Sequence, residues 1–164
     1  IDEDEATELQ NEGVLFYYRY LLLFQLNDFE RVIRDTTHNL RICDLLEQYA
    51  EDEDAEAVLQ FKPYIVRMNS VSRAMARVQH HENGEAREIL EQAIDTIQEM
   101  SSVDSPAFEF ERVRSVNYLR SALEQIEETE DDPVARLRKE LDAAVQQEDY
   151  ERAARLRDHI RELS

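Results

Sequence analysis

Apolar positions recur every three or four residues along almost the whole chain, in runs separated by short polar breaks, a pattern that predicts successive amphipathic helices and no strand. The first helix is expected over residues 6–26, after an acidic tail at residues 1–5. Leu9, Gly13, Phe16, Tyr17, Tyr20, Leu23 and Phe24 share one broad face of it, and Leu15, Tyr18, Leu21 and Leu22 enrich the other. A helix apolar almost all round is expected at the centre of a fold. Asn27-Asp28 breaks it, and a second helix over residues 29–49 presents Val32, Ile33, Leu40, Cys43, Leu45 and Leu46. The acidic run at residues 51–56 reads as a loop or a frayed helix start. Pro63 begins or kinks a third helix over residues 63–78, and residues 80–84 form the next turn. A fourth helix reaches about Met100, with Ile89, Leu90, Ala93, Ile94 and Ile97 as its core face. Ser105-Pro106 pairs a cap with a first-turn proline, and starts a fifth helix through Phe108, Phe110, Val113, Val116, Leu119, Leu123 and Ile126, ahead of a linker at residues 127–132.

The last segment has the sharpest pattern. Val134, Leu137, Leu141 and Ala144 step by three, four and three; Ala153, Leu156, Ile160 and Leu163 repeat the spacing, so each half is a helix with one apolar stripe. Asp132 before Pro133 is an N-cap followed by proline where its missing N–H costs nothing, and Asp149 caps the second helix in the same way. Together these define a helical hairpin over residues 133–164. Segments below roughly 40 residues usually need a staple, a metal or a partner to stay folded. Two narrow faces pressed together leave much of Leu141, Leu156 and Ile160 accessible, so something else must cover them: the preceding domain, a second copy or another protein. The candidate partner-binding residues are Leu137, Leu141, Ala144, Tyr150, Ala153, Leu156, Arg157, Ile160 and Leu163.

The block Tyr150-Glu151-Arg152-Ala153-Ala154, followed by Leu156-Arg157-Asp158 and Ile160, resembles the UVR motif. That motif is the short helical hairpin found at the end of the excision-repair subunit UvrB, within UvrC, and in some bacterial stress-response adaptors. Tyr150 stands where the family most often has Phe, and Val145 where it often has Ala; neither change disturbs the apolar pattern. The resemblance implies protein–protein association, with a partner protein or with a second copy as a homodimer, and a place in DNA excision repair or stress-response proteostasis. It does not imply helicase or nuclease chemistry.

Three stretches upstream and within the hairpin look alike: Asn27-Asp28-Phe29-Glu30-Arg31-Val32, Asn83-Gly84-Glu85-Ala86-Arg87 and Glu148-Asp149-Tyr150-Glu151-Arg152-Ala153. Each leads into an antiparallel helix, in a manner similar to the turn of tetratricopeptide repeats. The first two lie 57 residues apart, from Phe29 to Ala86, against a period of about 34 in a tandem array. The expected architecture is therefore all-α: long, antiparallel TPR-like helical hairpins in an acidic body, residues 1–132, followed by the UVR-like hairpin, residues 133–164.

Composition narrows the function. Only two glycines and three prolines interrupt 164 residues, while 42% are hydrophobic, enough for a core. The net charge of -19 lies wholly before residue 133, since the hairpin holds seven basic and seven acidic residues. Such a body repels phosphate, which argues against direct nucleic-acid binding by that part. The acidic surplus reads first as a solvated surface, and second as a match for a basic partner. The single cysteine, Cys43, excludes an internal disulfide, fits a reducing cytoplasm and reads as a small buried hydrophobe. The richest apolar stretch, residues 14–26, is broken by Arg19 and Gln25 and is too short to span a bilayer, so no membrane association is expected. Because the chain begins at Ile1 rather than Met, the lack of a signal peptide carries less weight than usual.

Patterns for chemistry are thin. A di-iron bundle needs paired Glu-x-x-His segments; Asp35-Thr36-Thr37-His38 is the nearest approach and occurs once. His80-His81 beside Glu82 reads as surface decoration, and no glycine-rich phosphate loop, nucleophile elbow or paired cysteine is present. Tyr17, Tyr18 and Tyr20 with Phe16 and Phe24 line either a ligand groove or, more commonly at such spacing, a core. Arg152, Arg155, Arg157 and Arg161 give the last helix a basic edge, paired locally with Asp149, Glu151, Asp158 and Glu162 or docked to an acidic partner. No catalytic residue, metal site or cofactor is expected, and the chain reads as a non-enzymatic adaptor. The alternatives are a structural domain that uses the hairpin as an internal clamp and, with the least sequence behind it, a metal-binding helical-bundle enzyme.

Overall fold

The computed structural model describes residues 1–164, apart from the side chains of residues 129–131. Among the described residues there are eight helices and no strand: α1 (Glu3–Gln25), α2 (Phe29–Tyr49), α3 (Asp52–Leu59), α4 (Lys62–Gln79), α5 (Asn83–Glu99), α6 (Pro106–Asp131), α7 (Pro133–Gln146) and α8 (Tyr150–Leu163). The fold is all-α, as the periodicity predicts.

Two acidic stretches are helical, one expected as a tail and the other as a loop or a frayed helix start. Asp2 accepts from the Glu5 N–H while the Glu5 carboxylate accepts from the Asp2 N–H, a capping box that starts α1 inside the acidic tail. Likewise Asp52, Glu53 and Asp54 fill the first turn of α3. Carboxylates at a helix N-terminus oppose the positive end of the helix dipole and stabilise it. Of the linker expected at residues 127–132, residues 129–131 lie outside the described side chains; Glu127 and Glu128 belong to α6, and Asp132 caps α7.

The chain folds as two compact units, residues 1–122 and residues 123–164. In the first, α1 and α2 are antiparallel: the Ile1 ammonium donates to the Tyr49 carbonyl at 2.9 Å, His38 meets Glu12 at 2.6 Å, and Arg19 meets Asp35 at 2.6 Å. Helix α4 runs antiparallel to α2 in turn, with Lys62 on Asp44 and Glu47 at one end and Asn69 on Thr36 and Thr37 at the other. One apolar cluster joins Ala6, Ile42, Leu46 and Ala55; a second joins Tyr20, Val32 and Met68. The expected face of α5 packs inward through Leu90, Ala93, Ile94 and Ile97.

Several expected core positions point outward instead. In α1 only Ala6 and Tyr20 are fully buried, while Leu15 is 71% exposed and Leu22 63%. The helix packs on α2, α3 and α4 along one side, so it is not central, and its second apolar stripe faces away. Leu45 in α2 and Phe110 and Val113 in α6 are likewise exposed. Part of the buried space goes to polar side chains: Asp35, Thr36 and Asn39 of α2 and Arg67, Asn69, Ser70 and Ser72 of α4. Asn69 Nδ2 donates to Thr36 Oγ1 at 3.0 Å and to Thr37 Oγ1 at 3.1 Å, and Thr36 Oγ1 donates to the Val32 carbonyl at 2.7 Å. The seam between α2 and α4 is thus hydrogen-bonded as well as apolar, since Val32 of the expected face packs on Met68.

The three look-alike turns share one backbone geometry, though in a different register from the one read off the sequence. Asn27, His81 and Glu148 each adopt a left-handed conformation, with φ of 57°, 60° and 58°. After each helix the same pair of bonds closes the end: Asn27 N–H to Phe24 and Asp28 N–H to Leu23; His81 to Val78 and Glu82 to Arg77; Glu148 to Val145 and Asp149 to Ala144. The second member therefore begins at His81-Glu82, two residues before Asn83-Gly84, and Gly84 lies inside α5. In the corrected register Val32, Ala86 and Ala153 hold one position, and all three are buried.

Candidate functional site

The hairpin is α7 and α8, joined at the turn around Glu148. Asp132 accepts from the Val134 N–H at 3.0 Å with Pro133 next to it, and Asp149 accepts from the Arg152 N–H at 3.1 Å, so both expected caps form. At the corner the two helices approach through small residues: Ala144 is 0% exposed and Ala153 8%. Arg152 reaches across to Glu140 at 3.6 Å.

Beyond that corner the stripes are incompletely covered. Leu137, Leu141, Leu156 and Ile160 remain half-buried, whereas Leu163, Tyr150 and Val145 are exposed. Each of the larger aliphatic side chains would gain roughly 1.5–3 kcal/mol from full burial, so together they retain several kcal/mol of unused apolar free energy. Arg157 is exposed beside them and bonds to Asp158 Oδ1 at 3.0 Å; Arg155 pairs with Glu151 at 3.6 Å. Three arginines of the basic edge of α8 are thus paired within the hairpin, Arg155 and Arg157 with side chains of α8 and Arg152 with Glu140 of α7. Nine residues marked as partner-binding thus fall into two sets: Ala144 and Ala153 hold the hairpin closed, and Leu137, Leu141, Tyr150, Leu156, Arg157, Ile160 and Leu163 border its accessible surface.

The groups weighed for chemistry have structural occupations. Burial pushes the Cys43 thiol up to about 12, so it stays protonated. Asp35 is turned into the body, accepting from Arg19 and Arg34, while His38 stacks on Phe16 with centroids 4.1 Å apart. Among the described residues no group of three or more His, Cys, Asp or Glu side chains is placed to hold a metal ion, and no helix is long and apolar enough to cross a membrane.

An all-helical chain that ends in a capped two-helix hairpin with uncovered apolar stripes is the class that fold and site define. Within it, residues 131–164 match the family model of the UvrB/uvrC motif, about a fifth of the chain, so the terminal hairpin is a UVR motif. No curated protein and no solved structure matches the chain. Hairpins of this kind serve protein association or repair-related assembly.

Proposed function

We propose that this protein is a non-enzymatic adaptor, in which a TPR-like acidic body carries a UVR hairpin that pairs with a partner protein or with a second copy. One observation carries the proposal: of the apolar residues in α7 and α8 only Ala144 and Ala153 are fully buried, while Leu137, Leu141, Leu156 and Ile160 are left half-covered. A homologous hairpin has the same stripe and is the simplest surface to complete it. The three turns of shared geometry support the TPR-like description of the body. Excision repair and stress-response proteostasis are the two settings in which such an adaptor acts, and the cytoplasm is the compartment a lone buried thiol favours.

The test is Leu156→Asp or Ile160→Asp in the intact chain, followed by capture of partners from the native cell. The expected outcome is loss of the captured hairpin-bearing partner, or of the dimer, with unchanged helicity by circular dichroism. Full recovery of partner with either variant overturns the proposal.

A further inference from the structure

A cleft of about 510 Å³ lies between α1 and α2 of the first unit, lined by Phe16, Arg19, Arg34, Thr37, His38 and Arg41. Arg34, Thr37, His38 and Arg41 follow helical spacing, so α2 presents them on one face, and Phe16 and Arg19 come from α1. The His38 ring stacks on Phe16 with centroids 4.1 Å apart, and the Arg19 guanidinium lies 4.6 Å from the centre of the same ring. Three of the twelve basic residues of the acidic body thus meet in one place.

Asp35 fixes two of the three. Its buried carboxylate accepts from Nε and Nη2 of Arg19 at 2.6 and 2.8 Å and from Nε of Arg34 at 3.0 Å. A guanidinium carries five N–H donors, so Nη1 of Arg19 and both Nη atoms of Arg34 keep theirs for another acceptor, and both side chains are at least half-exposed. Arg41 is exposed and, among the described residues, pairs with no carboxylate. Thr37 Oγ1 accepts from Asn69 Nδ2 at 3.1 Å, which leaves its own proton to donate. Glu12 is engaged by His38 at 2.6 Å. Three guanidinium groups therefore meet two carboxylates, and the cleft is positive within a strongly negative body.

We propose that this cleft binds the phosphoryl group of a phosphate monoester, with Arg19, Arg34 and Arg41 as its donors. Guanidinium forks match oxyanions in shape and charge. Donors converging from three side chains suit the three terminal oxygens of a monoester, where a carboxylate offers two. A phosphodiester also offers two and carries a single charge, and a nucleic acid adds repulsion by the acidic body. The monoester is carried by a phosphorylated side chain of a partner protein or is a small free phosphate. The site lies on the body and is independent of the hairpin and of the adaptor function.

The probes are phosphoserine and aspartate, each blocked at both ends as the acetyl methylamide, together with inorganic phosphate. Each is titrated into the full chain at constant ionic strength, and the backbone amide signals of Thr37 and His38 are followed in a nitrogen–proton correlation spectrum. Blocked phosphoserine is expected to move both signals saturably, and blocked aspartate to bind at least about tenfold more weakly. Arg41→Gln should weaken phosphoserine about tenfold, since it removes a charged donor. Arg120→Gln removes the same charge outside the cleft and should leave the affinity unchanged. Should a variant fail to fold, the comparison of phosphoserine with aspartate on the unaltered chain decides. Inorganic phosphate binding as tightly as phosphoserine sustains the site and makes the free ion its ligand; weaker binding sustains it and makes the ligand a phosphorylated side chain. No saturable movement with either phosphate probe, equal affinity for aspartate, or equal weakening by Arg41→Gln and Arg120→Gln each overturns the proposal, as does full affinity in Arg41→Gln.

Discussion

Asp35 is the most constrained charge in the molecule. Its side chain is 0% exposed, and both oxygens are used: Arg19 donates through Nε at 2.6 Å and through Nη2 at 2.8 Å, and Arg34 through Nε at 3.0 Å. Burial works to raise this carboxyl, but the hydrogen bonds from Arg19 and Arg34 outweigh it and hold the group below the usual carboxylate range. Both arginines are half-exposed or more and regain water when released, so Asp35→Asn is expected to cost about 2–3 kcal/mol, less than breaking a fully buried pair. A lower denaturation midpoint at unchanged slope is the measurement. The pH dependence has a definite sign. A carboxyl depressed in the folded state takes up its proton first in the unfolded chain, so its contribution is complete above about pH 4 and is lost as pH falls further. Acid titration of the unaltered chain should show that loss, and Asp35→Asn should remove part of it. In the sequence Asp35 stands out only as the start of Asp35-Thr36-Thr37-His38, a lone ligand-like spacing. Its true partner lies 16 residues earlier on another helix, and a pattern confined to one helix has no means of displaying it.

At the scale of elements, spacing and caps were enough to locate helices and their apolar faces wherever one face is buried and the other wet, as in α5, α7 and α8. They fail where the two faces compete. Leu15 and Leu22 of α1 are as apolar as Leu21 and Leu23, and only the presence of α2 and α4 on one side decides which are covered. Buried polar positions fail for the opposite reason: Thr36, Asn39 and Asn69 look like surface residues until the bonds of Asn69 to Thr36 and of Asn39 to the Gly13 carbonyl of α1 are seen. Arg67 escapes sequence reading in the same way, since its burial is a property of several helices together. The turns show a third kind of failure. Glycine usually marks the left-handed residue after a helix, yet here Asn27, His81 and Glu148 occupy it, and Gly84 stands three residues beyond His81, inside α5. A side chain at such a φ carries roughly 1 kcal/mol of strain that glycine does not. Glu148→Gly is therefore expected to stabilise the hairpin by about 1 kcal/mol, seen as roughly fivefold slower amide exchange across α7 and α8. Exchange at the unaltered rate would mean that the Glu148 side chain offsets its own strain.

For the whole molecule, the decisive quantity is how charge divides between body and hairpin. Nineteen net negative charges sit before residue 133 and none after it. If two copies associate, the surfaces that join are neutral and apolar, while the attached bodies repel one another over distances comparable to the Debye length, about 10 Å at 0.1 M salt. The ion pairs Arg152–Glu140, Arg155–Glu151 and Arg157–Asp158 are exposed and contribute little, on the order of 0–1 kcal/mol each, so screening them costs almost nothing. Added salt should then strengthen self-association: at fixed protein concentration the dimer fraction, measured by sedimentation, is expected to rise from about 0.02 M to about 0.5 M sodium chloride, across which the screening length falls several-fold. A partner with a strongly basic surface predicts the reverse, because its attraction to the body is screened by the same ions. Salt thus separates pairing of like hairpins from docking of an oppositely charged protein, and a dimer that weakens steeply with salt would place the contact on the acidic body instead of on Leu137, Leu141, Leu156 and Ile160.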